Sequence, residues 1–183
     1  MLQLRAIEKS DLPKLKVWRN DIIEMCREYR LLNDEHQERW WADYSQQAYS
    51  PYPKHLLYGL ELRQFAIKGG AWRLIGVGGW TYIDWLNRRA ELSIYIGPRD
   101  LRSKGYGRRF LELLHDIAFN QFGFKSVWLE VHDWNPAGRK LYEHAGYTYI
   151  GQWRNARYRD GQYWPTHIYD LTAEDYYDNN QRH

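Results

Sequence analysis

The residues best suited to chemistry lie in the run Arg99-Asp-Leu-Arg102-Ser103-Lys104-Gly105-Tyr106-Gly107-Arg108-Arg109. Two glycines one residue apart let a backbone turn tightly and approach a ligand with no Cβ in the way. Five cations against one acid over eleven positions raise the local positive potential. Where such a turn opens a helix, the first N–H groups have no internal acceptor and the helix dipole adds to the field. The place then suits an anion, and a diphosphate above others. The same residues can also be read as a glycine turn ahead of a solvated basic helix start. Further on, Arg154, Arg157 and Arg159 are interleaved with Trp153, Tyr158, Tyr163 and Trp164. That set could take an acidic peptide, a nucleotide-sugar or single-stranded nucleic acid, or form a hairpin with one solvated face.

A strand must deliver the chain to the glycine turn and a helix must carry it away. Ala90–Gly97 places Leu92, Ile94 and Ile96 on one face and reads as the strand. Phe110, Leu113, Leu114, Ile117 and Ala118 recur at helical spacing and predict a helix to about Gln121, ended by Gly123. Lys125–Val131 is the next strand, and its connection through a helix predicts a parallel, right-handed β-α-β unit. A further helix is punctuated by Asn135 as cap, Pro136 at its first position and Gly146 as a left-handed C′ residue, with Ala137, Leu141 and Ala145 on one face.

Upstream, Leu2–Ala6 reads as a strand. Leu12, Leu15 and Trp18 predict a helix capped at Ser10 or Asp11, with Pro13 in its first turn. A second helix is expected from a cap at Asn33 or Asp34, with Ile22–Leu32 as a loop or broken helix between the two. Tyr49–Gly59 reads as an irregular connection. Arg63–Lys68, a turn at Gly69 and Gly70, Leu74–Asp84 and Ala90–Gly97 predict an antiparallel meander, and Tyr147–Arg154 and Trp164–Leu171, around a turn at Asp160–Gly161, are expected to close the chain.

A chain of 183 residues, 44% hydrophobic and 27% charged, is sized for a single domain spanning 1–183 and is neither disordered nor an integral membrane protein in composition. The start, MLQLRAIEKSD, lacks the apolar core of a signal peptide, so a cytoplasmic location with no membrane partner is expected. The single cysteine, Cys26, cannot form an internal disulfide, and no Cys/His spacing fits zinc, so no metal is expected. A formal charge of +3 gives too weak a field for a duplex-binding protein and disfavours nucleic acid as a partner. Ten Trp and sixteen Tyr imply a core built from large rings or a pocket lined by them.

Arg102-x-x-Gly105-x-Gly107, after a strand and opening a helix, resembles the pyrophosphate loop of the GCN5-related N-acetyltransferases (GNAT). Asn135-Pro-Ala-Gly138-Arg-Lys-Leu-Tyr142-Glu-His-Ala-Gly146-Tyr147 is similar to that family's second signature, at the expected distance downstream. Ser103 stands where glycine is common, Gly138 where serine is common and Tyr147 where phenylalanine is common; Gly138 lacks a hydroxyl that often assists cofactor binding. The resemblance implies an α/β acyl-CoA N-acyltransferase fold: a mixed, mostly antiparallel central sheet splayed around the cofactor and flanked by about four helices. It implies direct attack of a primary amine on the thioester of acetyl-coenzyme A (acetyl-CoA).

On that resemblance, backbone N–H groups across Arg102, Ser103, Lys104, Gly105, Tyr106, Gly107 and Arg108 would hold the pyrophosphate. Ile94, Tyr95 and Ile96 would pair with the pantetheine arm, and a strand N–H there could polarise the thioester carbonyl. Asn135 would bond the pantetheine or adjust the start of its helix. Tyr142, two helical turns beyond Asn135, would protonate the departing thiolate, or is a core tyrosine in a chain rich in them. Glu91 is the first candidate for the base, although alternation puts it on the face opposite Ile94; His115, His132 and His144 are alternatives. Trp18-Arg19-Asn20-Asp21 and Asp34-Glu-His-Gln-Glu-Arg-Trp40-Trp41 resemble the branch with ribosomal-protein and amino-sugar acetyltransferases. The acceptor is then expected near Met25–Leu32 and Arg154–Trp164, and is a small-molecule or nucleotide-linked amine. A protein N-terminus or lysine, a non-catalytic acyl-CoA-binding module and a homodimer remain open.

Overall fold

Seven strands form one mixed sheet of order β1-β2-β3-β4-β5-β7-β6 in the computed structural model, which describes residues 1–64 and 70–181. They are β1 Leu2–Ala6, β2 Leu56–Gln64, β3 Ala71–Asp84, β4 Arg89–Ile96, β5 Ser126–His132, β6 Thr148–Arg159 and β7 Gln162–Thr172. Among the described residues the α-helices are α1 Leu12–Asp21, α2 Asp34–Ala48, α3 Tyr106–His115, α4 Pro136–His144 and α5 Ala173–Gln181. The expected parallel pair is present: β4 runs beside β5 over Arg89–Glu91 and Ser126–Trp128. The pairs β1·β2, β2·β3, β5·β7 and β6·β7 are antiparallel.

The chain divides into two units, of which the first comprises Met1–Thr81 and Ser93–Phe110. Its core gathers Ile7, Leu12, Leu15, Tyr44, Leu74 and Val77, with Trp18, Trp40 and Trp41 packed against it. Asn33 caps α2 by accepting from the His36 N–H at 2.9 Å, one of the two caps anticipated. The Arg5 guanidinium spans Asp11 at 2.7 Å and Glu61 at 2.8 Å, so the buried Asp11 carboxylate is matched. Small residues on β3 bring it close to β4: a Cβ on Gly78 would stand 2.5 Å from the Ile94 Cγ2. Ile22–Leu32 contains one short 3-10 turn, Ile23–Met25. The segment expected to be irregular up to Gly59 is strand from Leu56, where alternation across β2 seats Leu60 in the core. Arg63 and Gln64 end β2, Gly70 is left-handed at φ +68°, and the rest of the anticipated Arg63–Lys68 strand, with Gly69, lies outside the described residues.

The second unit comprises Tyr82–Leu92 and the chain from Leu111 onward. Val127, Leu129 and Leu171 are fully buried within it. Beyond α3 the helix widens into a π turn, Asp116–Gln121, in which the Phe122 N–H reaches back five residues to the Ile117 carbonyl at 2.9 Å. Leu113 and Ile117 are only half-buried, and Leu111, His115 and Phe119 join Phe110, Leu114 and Ala118 as the buried positions. The hairpin β6–β7 turns on Asp160 and Gly161 as anticipated, both left-handed. Its strands run further than expected because a register shift at Asn155, itself left-handed, lets Arg157–Arg159 pair again with Gln162–Trp164. The chain does not close on strands. Thr172 and Asp175 exchange cap bonds, Asp175 N–H to Thr172 Oγ1 at 3.1 Å and Thr172 Oγ1 to Asp175 Oδ2 at 2.6 Å, and so start α5, raising the helices from about four to five among the described residues.

Candidate active site

In the first unit β4 runs into the glycine turn that opens α3. The first intrahelical bond is from the Arg109 N–H to the Gly105 carbonyl, 3.2 Å, so the amides ahead of it at Gly105, Tyr106 and Gly107 have no acceptor inside the helix. Gly105 is left-handed at φ +84°, with nothing within 4 Å of where a Cβ would stand. Ser103 is left-handed as well, at φ +59°. A bare, curved backbone with outward donors at a helix start fits a diphosphate.

The side chains of this turn do something that the sequence did not announce. Arg102 donates to the Ile96 carbonyl at 3.0 Å, the Gly97 carbonyl at 2.5 Å and Asp21 at 2.8 Å. Arg99 also pairs with Asp21. Hydrogen bonds from Arg99 and Arg102 hold the Asp21 carboxyl at about 2. Arg99 and Arg102 are therefore spent as struts between the end of β4 and α1, and the positive field expected from the run is reduced. Trp18 seals the same corner: a Cβ on Gly97 would fall 2.0 Å from its ring, so only glycine fits beneath the indole. Ile94, Tyr95 and Ile96 are half-buried on β4, and burial pushes the Tyr95 phenol well above its usual range.

In the second unit, Asn135 caps α4, its Oδ1 accepting from the Gly138 N–H at 2.9 Å. That carbonyl is therefore engaged at the start of the helix. Tyr142 is buried, and burial together with nearby Glu91 pushes its phenol up to about 12. Glu91 is also buried, so the structure brings the two residues proposed for proton transfer into one electrostatic neighbourhood. A phenol at that value stays protonated at neutral pH. It can donate a hydrogen bond to a thiolate, although full transfer to a thiol of ordinary pKa, roughly 8.5, is uphill.

Behind Tyr142, the Tyr147 ring packs edge-on at 5.7 Å, and its hydroxyl meets His115 Nε2 at 2.9 Å. This buried partner explains the tyrosine where phenylalanine is common, since the extra hydroxyl is satisfied. Burial pulls the His115 imidazole down to about 4. His132 is buried and stacks on Trp134 at 4.8 Å, and His144 is exposed on α4 with Nδ1 2.6 Å from the Lys140 carbonyl.

Within the basic and aromatic set of the hairpin, Arg157, Arg159 and Trp164 are committed, whereas Trp153, Tyr158 and Tyr163 are exposed. Arg157 faces Glu130 at 3.6 Å, and Arg159 lies over the Trp134 ring at 4.9 Å. An open hollow of about 850 Å³ beside Gln152, Trp153, Arg154, Asn155 and Pro165 remains on this hairpin. The sequence reading missed His167, whose Nε2 lies 2.7 Å from Asp133 Oδ1. Asp133 directly precedes Trp134-Asn135-Pro136, but nothing in the spacing of two residues 34 apart announces the pair.

Spermidine N(1)-acetyltransferase of Vibrio cholerae is 26% identical over 168 residues, covering 87% of this chain and 88% of that protein. The crystal structure of a Vibrio cholerae spermidine N-acetyltransferase in complex with CoA and spermine superposes with a TM-score of 0.81 at 22% identity, covering 96% of this chain and 98% of that one. A dodecameric structure of the Vibrio cholerae enzyme in an intermediate state gives a TM-score of 0.77 at 22% identity, covering 97% of each chain. Residues 1–148 match the profile described as acetyltransferase (GNAT) domain, which accounts for the glycine turn, the β4–α3 passage and the Asn135–Tyr147 block together: the chain belongs to the GNAT acetyltransferase family.

Proposed function

We propose that this acetyl-CoA-dependent N-acetyltransferase moves the acetyl group to the primary amine of a small molecule, with residues 1–183 acting as one domain. The observation that carries the reading is the left-handed Gly105 turn, open on its outer side, at the start of α3. Acetyl-CoA supplies an activated acyl group; the chain's own groups bind, orient and move protons. The amides of the Arg102–Arg108 turn hold the pyrophosphate, and Ile94–Ile96 offer main-chain bonds to the pantetheine. Glu91 accepts, through water, the proton that the acceptor ammonium loses before the neutral amine attacks, since an ammonium has no lone pair. Tyr142 donates a hydrogen bond toward the departing sulfur.

A polyamine is the second reading of the acceptor, favoured by the relatives that bear the name spermidine acetyltransferase. Self-association belongs with this reading, since a relative of the same fold is described as dodecameric. Release of free thiol from acetyl-CoA, followed across amines, protein N-termini and lysine peptides, tests the function. Amine-dependent release is the expected result, and stoichiometric acetyl-CoA binding with no release in the presence of any amine would identify a binding module instead.

A further inference from the structure

The end of α1 carries four consecutive residues, Trp18-Arg19-Asn20-Asp21, and three of them have evident work. Trp18 covers Gly97, Asn20 clamps the Leu32 N–H and carbonyl at 2.8 and 2.9 Å, and Asp21 takes Arg99 and Arg102. Arg19 differs. Its Nη1 is shut away from solvent and has no hydrogen-bond partner among the described residues. It lies close enough to Tyr95 of β4 and to Cys26, just beyond the 3-10 turn, to act electrostatically on both. A guanidinium is charged at every accessible pH, and a buried donor of that kind left without an acceptor is unfavourable unless a ligand supplies one.

The carboxylates flanking Met25–Leu32 do not compensate. Asp21 is taken by Arg99 and Arg102, Glu24 is engaged as well, Glu28 faces Arg30 at 3.0 Å, and Asp34 faces Lys16 at 2.5 Å. A polycation arriving there would meet anions already matched and one cation unmatched, in a chain whose formal charge is +3. An oxyanion would meet the reverse.

We infer that Arg19 is a specificity residue that binds an oxyanion of the acceptor, so that the substrate carries a carboxylate or phosphate beside its primary amine. This rests on the reading of the chain as a small-molecule N-acetyltransferase and departs from the polyamine acceptor suggested by its relatives. Arg19 fixes the acceptor and takes no part in proton transfer; its unpartnered Nη1 supplies one charge-assisted donor to the oxyanion.

The test uses calorimetric titration of the purified chain at saturating CoA, with ethanolamine, O-phosphoethanolamine, β-alanine and spermidine as probes. The phosphate and carboxylate arms distinguish the two sources of oxyanion. At least one anion-bearing amine is expected to bind about tenfold or more tightly than ethanolamine, the size of one charge-assisted pair. Arg19→Gln should abolish that preference while leaving ethanolamine affinity unchanged, and Arg19→Lys should restore part of it. In turnover the loss should appear in KM for the anionic amine with kcat preserved. Equal binding of ethanolamine and both anionic amines by the native chain overturns the inference without recourse to a variant. So does tighter binding of spermidine than of either anionic amine, or undiminished preference in a folded Arg19→Gln chain. Because binding is read without turnover, absence of thiol release with every amine counts against acetyl transfer and leaves the Arg19 result standing separately.

Discussion

In the first unit, Asp21 meets Arg99 and Arg102, and Arg5 meets Asp11 and Glu61. In the second, His115, Tyr147 and Tyr142 are buried and held neutral, burial lowering the imidazole and raising both phenols. Matched charges hold the end of β4 in position. Buried, uncharged titratable groups make an interior in which moving a proton is costly, and Glu91 adds to the effect of burial on Tyr142. The pH responses differ accordingly. Asp21, depressed to about 2 from its ordinary value near 3.8, contributes stability at all higher pH and loses it as pH falls between those values. His115 follows the opposite logic, because its protonated form is the one that folding disfavours.

The largest effect is expected at Tyr142. Tyr142→Phe removes the donor but keeps the ring, so kcat should fall about 100-fold or more while KM for acetyl-CoA changes little. The measurement is steady-state kinetics with the thiol assay. A fall in acetyl-CoA affinity with kcat intact would give Tyr142 a binding role and blur the division between the two units.

Next is the pH dependence set by His115. With its pKa at about 4 in the fold against 6.5 for an ordinary histidine, the unfolded chain binds a proton in this window and the folded chain does not. Stability should therefore drop as pH falls from 6.5 to 4 and level off below, by about 3 kcal/mol in all. Urea unfolding of the native chain and of His115→Gln at pH 7 and at pH 4 isolates this contribution as the difference in slope. An identical slope in the variant would show that the His115–Tyr147 pair is not the titrating element.

Much of this arrangement was legible, because capping and turn chemistry are local. Asn33, Asn135, Pro136, Gly146 and Asp160–Gly161 mark boundaries through their own backbone preferences, and each stands at the boundary anticipated. The apolar stripe held at Phe110, Leu114 and Ala118, but beyond His115 a π turn adds a residue to the repeat and Phe119 instead stacks on Tyr176 of α5, a contact that the helix's own residues do not announce. The start of α5 did carry a signal, the Thr172-x-x-Asp175 box, overlooked after a strand. The struts from Arg99 and Arg102 to Asp21 join positions about 80 residues apart, and no spacing rule links them. The same holds for Glu91 and Tyr142, which lie on different elements about 50 residues apart.

A smaller effect on stability, with a larger one on binding, is expected at Gly105. Its Cβ would meet open space, so Gly105→Val introduces no clash in the free chain and should destabilise by about 1–3 kcal/mol, from the left-handed backbone alone. Affinity for CoA, measured by calorimetry, should fall well beyond what that loss explains, since the added branch would occupy the space proposed for the phosphate. Equal affinity in the folded variant would remove the turn from the cofactor site.

The smallest expected change tests how α4 begins. A Cβ on Gly138 would lie 2.6 Å from Asn135 Nδ2, the end of a side chain that can rotate away. Gly138→Ser should therefore displace Asn135 and weaken its bond to the residue 138 N–H, worth about 1 kcal/mol as a cap. Replacing a helical glycine returns roughly half of that through reduced backbone freedom in the unfolded chain. A net loss of about 0.5 kcal/mol follows, read by chemical denaturation. The hydroxyl common at this position in the family would be restored in the same step, so KM for acetyl-CoA should fall even as stability does. A gain in affinity against a loss in stability would show that this chain favours an intact cap over the extra cofactor contact; a stability gain would show that Asn135 is not held by its bond to Gly138.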